Sequence, residues 1–273
     1  NDTAMEIIDY VNPESRLCWF PWGYDLYQFV WKQDKLLLPH TYDYWLRSNS
    51  IQGSGIPIFV KKFISNIKRK FFTQKDKRFD VFPRIDYCST IVPTEYPIVK
   101  SLNGFKAKEV RFNYGSMERI VSRMKNISEM QNHIFVGNSN TMSSNHVDAF
   151  YKIAELTESR QKVIVPLSYG NTNNYRRFVI EKGKYPFGRN FEPICEYILP
   201  VQYIELISSC GTAIFNQVRQ QALGTILILS WLGSCIYLNK VNPIYEHFNN
   251  IGVNVYDFSN TQNLKSIEPD EIL

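Results

Sequence analysis

The C-terminal half of the chain predicts an α/β domain built on a parallel, Rossmann-like sheet, and three observations carry that expectation. The first is the uncharged stretch Ala222 to Leu238, ALGTILILSWLGSCIYL, entered through Arg219, Gln220 and Gln221. About 20 apolar residues are needed to cross a bilayer, and Gly233-Ser234 interrupts this shorter run, so it reads as helix, tight turn and buried strand. A mostly apolar helix followed at once by a strand apolar on both faces belongs to a parallel sheet covered by helices. The second observation is the alternation of strand and helix signals from His133 onward. The third is that the strand-end loops carry small polar residues: Gly137-Asn138-Ser139, Ser168-Tyr169-Gly170, Asn216 to Gln221 and Asn239 to Asn242. Carboxyl-end loops of one parallel sheet share an edge and can face a single crevice.

In order, HIFVGNSN is a strand from His133, with a helix over 145–157. Lys162 to Leu167 is the next strand, with a helix near Tyr175 to Lys182, and a strand near Pro193 to Ile198 leads to a helix from Pro200 to Ser209. Thr212 to Asn216, the organising helix with its strand, a helix from Pro243 and a strand over 253–258 complete the unit. Alternation of this kind implies right-handed βαβ crossovers. Upstream, Arg16 to Phe20 reads as a strand and Pro21 to Asp25 as a loop before a helix from Leu26. Ile85 to Val92 reads as a strand, Pro93 opens a helix to Leu102, and Glu109 to Tyr114 is a further strand-like piece. The domain division is 1–115, a connection over 116–132, and 133–273. Asn1 is not a Met and the first strand already leads into a loop, which reads as a chain that begins inside a domain.

With 273 residues, two modest cores are the expectation. The 15% aromatic content, 17 Tyr and 18 Phe, suits flat or sugar-like ligands and equally a well-filled core. Five cysteines without CxxC spacing read as reduced and buried in a cytosolic protein, and four isolated histidines give no metal-ligand pattern. Charge is concentrated. Between Pro57 and Arg78 stand eight Lys and Arg residues against Asp76 alone, whereas the whole chain carries +5, so the remainder is slightly acidic. Lys61, Lys62, Lys68, Arg69 and Lys70, interleaved with Phe63, Phe71 and Phe72, make a basic amphipathic helix suited to an anionic membrane surface. The same pattern also describes a solvated helix packed by its aromatic face. No recognition motif points to nucleic acid. GxGxxG and GxxxxGK[ST] are absent in the required context, which disfavours dinucleotide dehydrogenases and P-loop enzymes.

Two α/β domains with a crevice of this kind describe a glycosyltransferase holding a nucleotide sugar between its halves. The diphosphate would rest on a helix N-terminus beside Arg219, with no divalent metal or cofactor recruited. The runs IFVGNSNTMSSNHVDAF, KVIVPLSYG, CGTAIFNQVRQQALGTILILSWLG and NPIY, with WFPWGYDLY upstream, resemble glycosyltransferase family 56. That family transfers 4-acetamido-4,6-dideoxygalactose from its dTDP sugar to a lipid-linked acceptor in the assembly of enterobacterial common antigen. The resemblance implies a GT-B fold of two Rossmann-like domains, the N-terminal one incomplete here because the family's opening βα units have no counterpart before Asn1. It also implies a polyprenyl-diphosphate saccharide as acceptor and a peripheral position at the cytoplasmic face of the bacterial inner membrane.

Carried over by position, Gly137, Asn138, Ser139, Asn145 and His146 fall in the first donor motif, Tyr169 and Gly170 in the second, and Arg219, Gln220, Gln221 and Gly224 in the third. Arg219 is the expected diphosphate ligand, Gln220 and Gln221 serve phosphate or sugar hydroxyls, and Gly224 admits close backbone approach. His146 orients a loop or caps a helix rather than acting as base. Asp25 is the candidate base, and it is equally a cap for the helix from Leu26. Other readings stay open: a transferase with a UDP- or GDP-sugar donor for capsule or exopolysaccharide, and a non-catalytic membrane-surface scaffold.

Overall fold

The computed structural model describes residues 8, 10–51, 77–112, 115–116, 131–157, 161–170 and 172–265. The basic, Phe-rich stretch with Lys61, Lys62, Phe63, Lys68, Arg69, Lys70, Phe71 and Phe72, and most of the connection over 116–132, lie outside the described residues.

Two parallel sheets organise the chain. The first has the order β1-β2-β3, formed by Cys18–Trp19 (β1), Tyr87–Cys88 (β2) and Lys108–Glu109 (β3). These strands are shorter than the sequence predicts, yet the ladder reaches one residue further at each end. Tyr87 N–H donates to Leu17 O (3.0 Å), Ser89 N–H to Trp19 O (3.0 Å) and Val110 N–H to Cys88 O (2.9 Å). Helices Tyr24–Val30 (α1), Pro39–Ile51 (α2) and Tyr96–Lys100 (α3) belong to this half by sequence. Leu26, Tyr27, Phe82, Cys88, Val99 and Leu102 form its core.

The second sheet holds Gln131–Val136 (β4), Val163–Pro166 (β5), Phe191–Ile194 (β6), Cys210–Phe215 (β7), Cys235–Leu238 (β8) and Tyr256–Asp257 (β9), ordered β6-β5-β4-β7-β8-β9 and parallel throughout. In order of appearance this is 3-2-1-4-5-6, the doubly wound topology, whose direction of winding reverses between β4 and β7. Alternation along the strands feeds two cores. Ile134 and Val136 of β4 face His146–Leu156 (α4) and Asn173–Phe187 (α5), while Phe135 faces Pro200–Ser208 (α6), Leu223–Trp231 (α7) and Pro243–Asn250 (α8).

Several details differ from the sequence reading. Helix α5 does not stop at Lys182: Gly183 lies in its interior, where a Cβ would collide with the Phe191 ring, so the residue that signals a break is there to admit β6. Helix α7 is not enclosed. Ile226 and Leu229 are buried against the sheet, while Trp231 is 48% exposed, because a helix in an outer layer buries one face only. Its end matches expectation: Gly233 (φ +89°) donates to Ser230 O and Ser234 donates to Leu229 O, a Schellman closure. Helix α2 packs on the second sheet's helices, with Tyr44 stacked on Phe178 at 4.2 Å and its first turn held by Asp148.

Candidate functional site

The strand-end loops meet at the carboxyl edge of the sheet beside β4 and β7, where its direction of winding reverses. After β4 the chain turns through Gly137 (φ +73°), and a Cβ there would stand 2.7 Å from His146 Nε2. Only glycine accepts both that backbone conformation and that contact. After β5, Gly170 (φ +120°) lies against the Asn140 carbonyl, which a Cβ would meet at 2.9 Å, and the two residues form a parallel bridge. The loops after β4 and β5 are therefore locked side by side.

The loop after β7 is buried: Arg219, Gln220 and Gln221 are 8%, 7% and 9% exposed. Gln221 Nε2 donates to Asn138 Oδ1 (2.7 Å) and Ser139 Oγ (3.2 Å), while its Oε1 accepts from Ser143 Oγ (3.0 Å). Asn138 Nδ2 donates to Tyr169 Oη at 3.1 Å. Asn242, after β8, donates to the carbonyls of Gln217 (3.0 Å) and Arg219 (2.8 Å). The loops after β4, β5, β7 and β8 are thus tied into one network at the reversal of the sheet.

Arg219 is the unusual member. Nη1 donates to Gln220 O (2.9 Å) and Nη2 to Ser143 Oγ (3.3 Å), but Nε is buried with no hydrogen-bond partner. No ion pair to it occurs among the described residues. Burial pulls its pKa down, opposed by the acidic groups around it, Tyr27, Glu95, Tyr24 and Asp25, each in its ionised form. A buried guanidinium without a carboxylate is costly unless an anion completes it. Just beyond it α7 begins after Ala222, held in the left-handed conformation (φ +65°), so the positive end of a helix dipole adds to the arginine. Gly224, in the first turn, is exposed with open space where a Cβ would stand.

Asn145 and His146 lie beneath the site, both fully buried. Asn145 ties the halves together, donating to Leu36 O (3.1 Å) and Asn216 O (3.2 Å) and accepting from Leu38 N–H (2.9 Å). His146 Nδ1 meets Tyr175 Oη at 3.3 Å, and burial drives its pKa down to about 3, so the imidazole is neutral. Their side chains support the loops from below rather than facing the open edge; Tyr169, 59% exposed, stands at that edge.

From the first half, the turn before α1 arrives at the same place. A Cβ on Gly23 (φ +65°) would stand 3.0 Å from both Arg219 Nη1 and Gln220 Oε1. Asp25 sits in the first turn of α1, where Gly23 occupies the cap position, and lines a cavity of about 450 Å³ with Trp19, Phe20, Gln28 and Phe29. Its Oδ1 is buried with no partner. Burial pushes its carboxyl up, against hydrogen bonds from the backbone of Trp22 and Leu26 and from the Trp19 side chain.

Two residues at this junction escape the sequence reading. Tyr27 donates to Glu95 Oε1 at 3.0 Å and accepts from Gln220 N–H at 3.3 Å, and both side chains are buried. Burial, reinforced by the charge of Asp25, raises the Glu95 carboxyl to about 7. The nearest signal is Pro93-Thr94-Glu95 before a helix: Glu95 Oε2 accepts from Val92 N–H at 3.4 Å, as a capping glutamate does. Among the described residues no cluster of three or more His, Cys, Asp or Glu is arranged to hold a metal.

Comparison with solved structures gives the architecture. Trehalose-6-phosphate synthase OtsA superposes with a TM-score of 0.54 at 8% identity, covering 94% of this chain and 64% of that one. OtsA in its apo form gives 0.52 at 8% identity, covering 71% and 54%. An E. coli structure described as trehalose-6-phosphate bound with UDP-2-fluoro glucose gives 0.50 at 10% identity, covering 70% and 54%. The chain thus spans between about half and two thirds of the length of these neighbours, and the likeness is one of fold: GT-B, with parallel sheets in both halves. The model of the family described as 4-alpha-L-fucosyltransferase, glycosyl transferase group 56, matches residues 105–269, more than half of the chain, from β3 to beyond β9. The doubly wound sheet with its linked strand-end loops therefore carries a family signature as well as a fold, and the chain belongs to the glycosyl transferase group 56 family.

Proposed function

We propose that this chain transfers an amino-deoxy sugar of the 4-acetamido-4,6-dideoxygalactose type from a dTDP-sugar to a polyprenyl-diphosphate-linked saccharide in cell-envelope polysaccharide assembly. The observation that carries the donor side is Arg219: a buried guanidinium with an unpartnered Nε and no ion pair among the described residues, at the head of α7 where the sheet reverses. A diphosphate supplies the missing charge, taking hydrogen bonds from the arginine and the first turn of the helix. Gly137, Asn138, Ser139, Tyr169, Gly170, Gln220, Gln221 and Gly224 shape the remainder of the donor site, over Asn145 and His146. As leaving-group charge develops on the diphosphate, the fixed guanidinium and helix end stabilise it without reorganisation. Asp25, with a carboxylate oxygen free of partners, accepts the proton of the attacking hydroxyl, and the cavity beside it receives the acceptor.

The test is ligand-dependent stability with dTDP, UDP and GDP, each without Mg²⁺. A ligand at a hundredfold its Kd stabilises the fold by about 2.7 kcal/mol. The dTDP compound is expected to raise Tm most. Arg219→Ala should weaken binding by about 10–100-fold, the loss of a charge-assisted bond of about 1.5–3 kcal/mol. If none of the three shifts Tm, the donor site is misassigned; a larger shift with UDP or GDP would keep the transferase and change its donor.

The peripheral position at the cytoplasmic face of the inner membrane is supported by the sequence of Lys61, Lys62, Phe63, Lys68, Arg69, Lys70, Phe71 and Phe72. Among the described residues no helix is long and apolar enough to cross a membrane. Sedimentation with anionic vesicles should carry the protein down, and replacing Lys61, Lys62, Lys68 and Lys70 by Glu should leave it in the supernatant with nucleotide binding intact. Unchanged sedimentation of that variant would remove this stretch as the contact.

A further inference from the structure

Arg219 is a buried cation, and without a bound anion its charge needs a counter-charge from within the protein. The carboxyl group hydrogen-bonded into its loop is Glu95, only 1% exposed, reached through one intervening side chain. The path runs from Glu95 Oε1 to Tyr27 Oη (3.0 Å) and on to the Gln220 backbone N–H (3.3 Å), and Gln220 O in turn accepts from Arg219 Nη1 at 2.9 Å. Three segments meet there: the turn after β2, helix α1, and the loop that enters α7. The turn is itself fixed to the second half, since Thr94 Oγ1 donates to Pro243 O at 2.7 Å.

We propose that Glu95 is a positioning residue and an exchangeable counter-charge for Arg219. Its carboxylate holds the Gln220 loop through Tyr27 while the site is empty, and it takes up a proton from solvent when a diphosphate settles beside the arginine. The inference rests on the donor-site reading above and extends it to a group that touches no ligand.

The electrostatics set the direction. The titratable and charged groups around Glu95 are Tyr27 and Asp25 on α1, Cys88 on β2 and Arg219 on the loop. Asp25 disfavours its ionised form and Arg219 favours it. Burial, the largest cause, with Asp25 adding to it and Tyr27, Val92 and Arg219 opposing it, brings the carboxyl to about 7, so it is divided between its two forms at neutral pH. A diphosphate adds negative charge on the far side of Arg219 and cancels the one charge that keeps Glu95 ionised, which favours protonation. The proton binds to a carboxylate oxygen of Glu95, which becomes neutral, and no other bond is made or broken. Tyr27 itself stays protonated, since burial and the neighbouring Glu95 push its hydroxyl well up.

Calorimetry with dTDP-glucose tests this directly, because a diphosphate esterified at both ends keeps its charge constant near neutrality. Titrations at pH 7 in HEPES and in Tris, whose ionisation heats differ, should reveal net uptake of a fraction of one proton per nucleotide bound. Affinity should weaken with rising pH above 7, by up to about tenfold per pH unit. Glu95→Gln should bind with no proton uptake and little pH dependence. Binding by the unaltered protein with buffer-independent heat would overturn the inference while leaving the donor site standing, as would undiminished uptake in Glu95→Gln. If neither dTDP-glucose nor UDP-glucose binds the unaltered protein, the donor site falls and this inference with it. The measurement on the unaltered protein decides the matter even if the variant does not fold.

Discussion

Asp25, half-buried, and Glu95, fully buried, are two carboxyl groups whose charge reaches the same arginine, and they are built in opposite ways. Glu95 is enclosed and both of its oxygens are engaged, one by the Tyr27 hydroxyl and the other by the Val92 N–H. Asp25 is half-buried and lines a cavity, and one of its oxygens, Oδ1, is buried with no partner. A group that exchanges a proton with substrate needs a free lone pair and room for the substrate, whereas a group that balances charge and fixes a loop needs neither. The contrast supports the proposal that Asp25 serves the reaction and Glu95 the donor loop, although Glu95 has the stronger perturbation.

Asp25→Asn is the most severe test of that division. General-base catalysis contributes about 10²–10⁴-fold, so sugar transfer should fall by that factor. Nucleotide-dependent stabilisation should stay unchanged, because the amide is isosteric and Asp25 makes no hydrogen bond to the Arg219 loop in the structure. A transfer assay and a thermal melt with dTDP, run on the same preparation, separate the two effects. Equal loss in both would move Asp25 into the donor site, and full transfer activity would leave the base elsewhere.

The second sheet was largely legible because its strands are mostly apolar runs that lead into small polar loops, and β4, β5, β7 and β8 follow the sequence expectation to within two residues at either end. Their strand-end loops could be aligned on one edge for the same reason. In the first half the signals were weaker: Cys18–Trp19, Tyr87–Cys88 and Lys108–Glu109 pair over two residues each, and β-propensity alone lengthened them. Arg219 was legible as a cation at a helix start. Its burial was not, since that depends on Gly23 arriving from almost two hundred positions away in the chain. Asn145 and His146 belong to the motif, but a motif records which residues occur together, not which of them face solvent. Tyr27 and Glu95 were illegible for a related reason: each looks like an ordinary helix residue until folding brings Tyr27 to Gln220 and Glu95 to Tyr27.

The smaller expected effect, on stability, sharpens the same contrast from the other side. Glu95 titrates near 7 in the folded protein against 4.5 for an unperturbed glutamate, so between those values the native state binds more protons than the unfolded chain. Stability from this group is therefore fully present below about pH 4.5, lost as pH rises through about 7, and constant above that. Its full extent is about 3 kcal/mol at 1.36 kcal/mol for each tenfold step. Urea unfolding at pH 5, 6, 7 and 8 should show that decline in the unaltered protein, and Glu95→Gln should remove it, being the less stable protein at pH 5 and the equal or better one at pH 8. Asp25→Asn should alter the profile far less, since Asp25 is only partly enclosed and its hydrogen bonds from Trp22, Leu26 and Trp19 oppose the effect of burial. Parallel profiles for Glu95→Gln and the unaltered protein would mean that Glu95 is not the group that titrates, and the distinction between the two carboxyls would then rest on geometry alone.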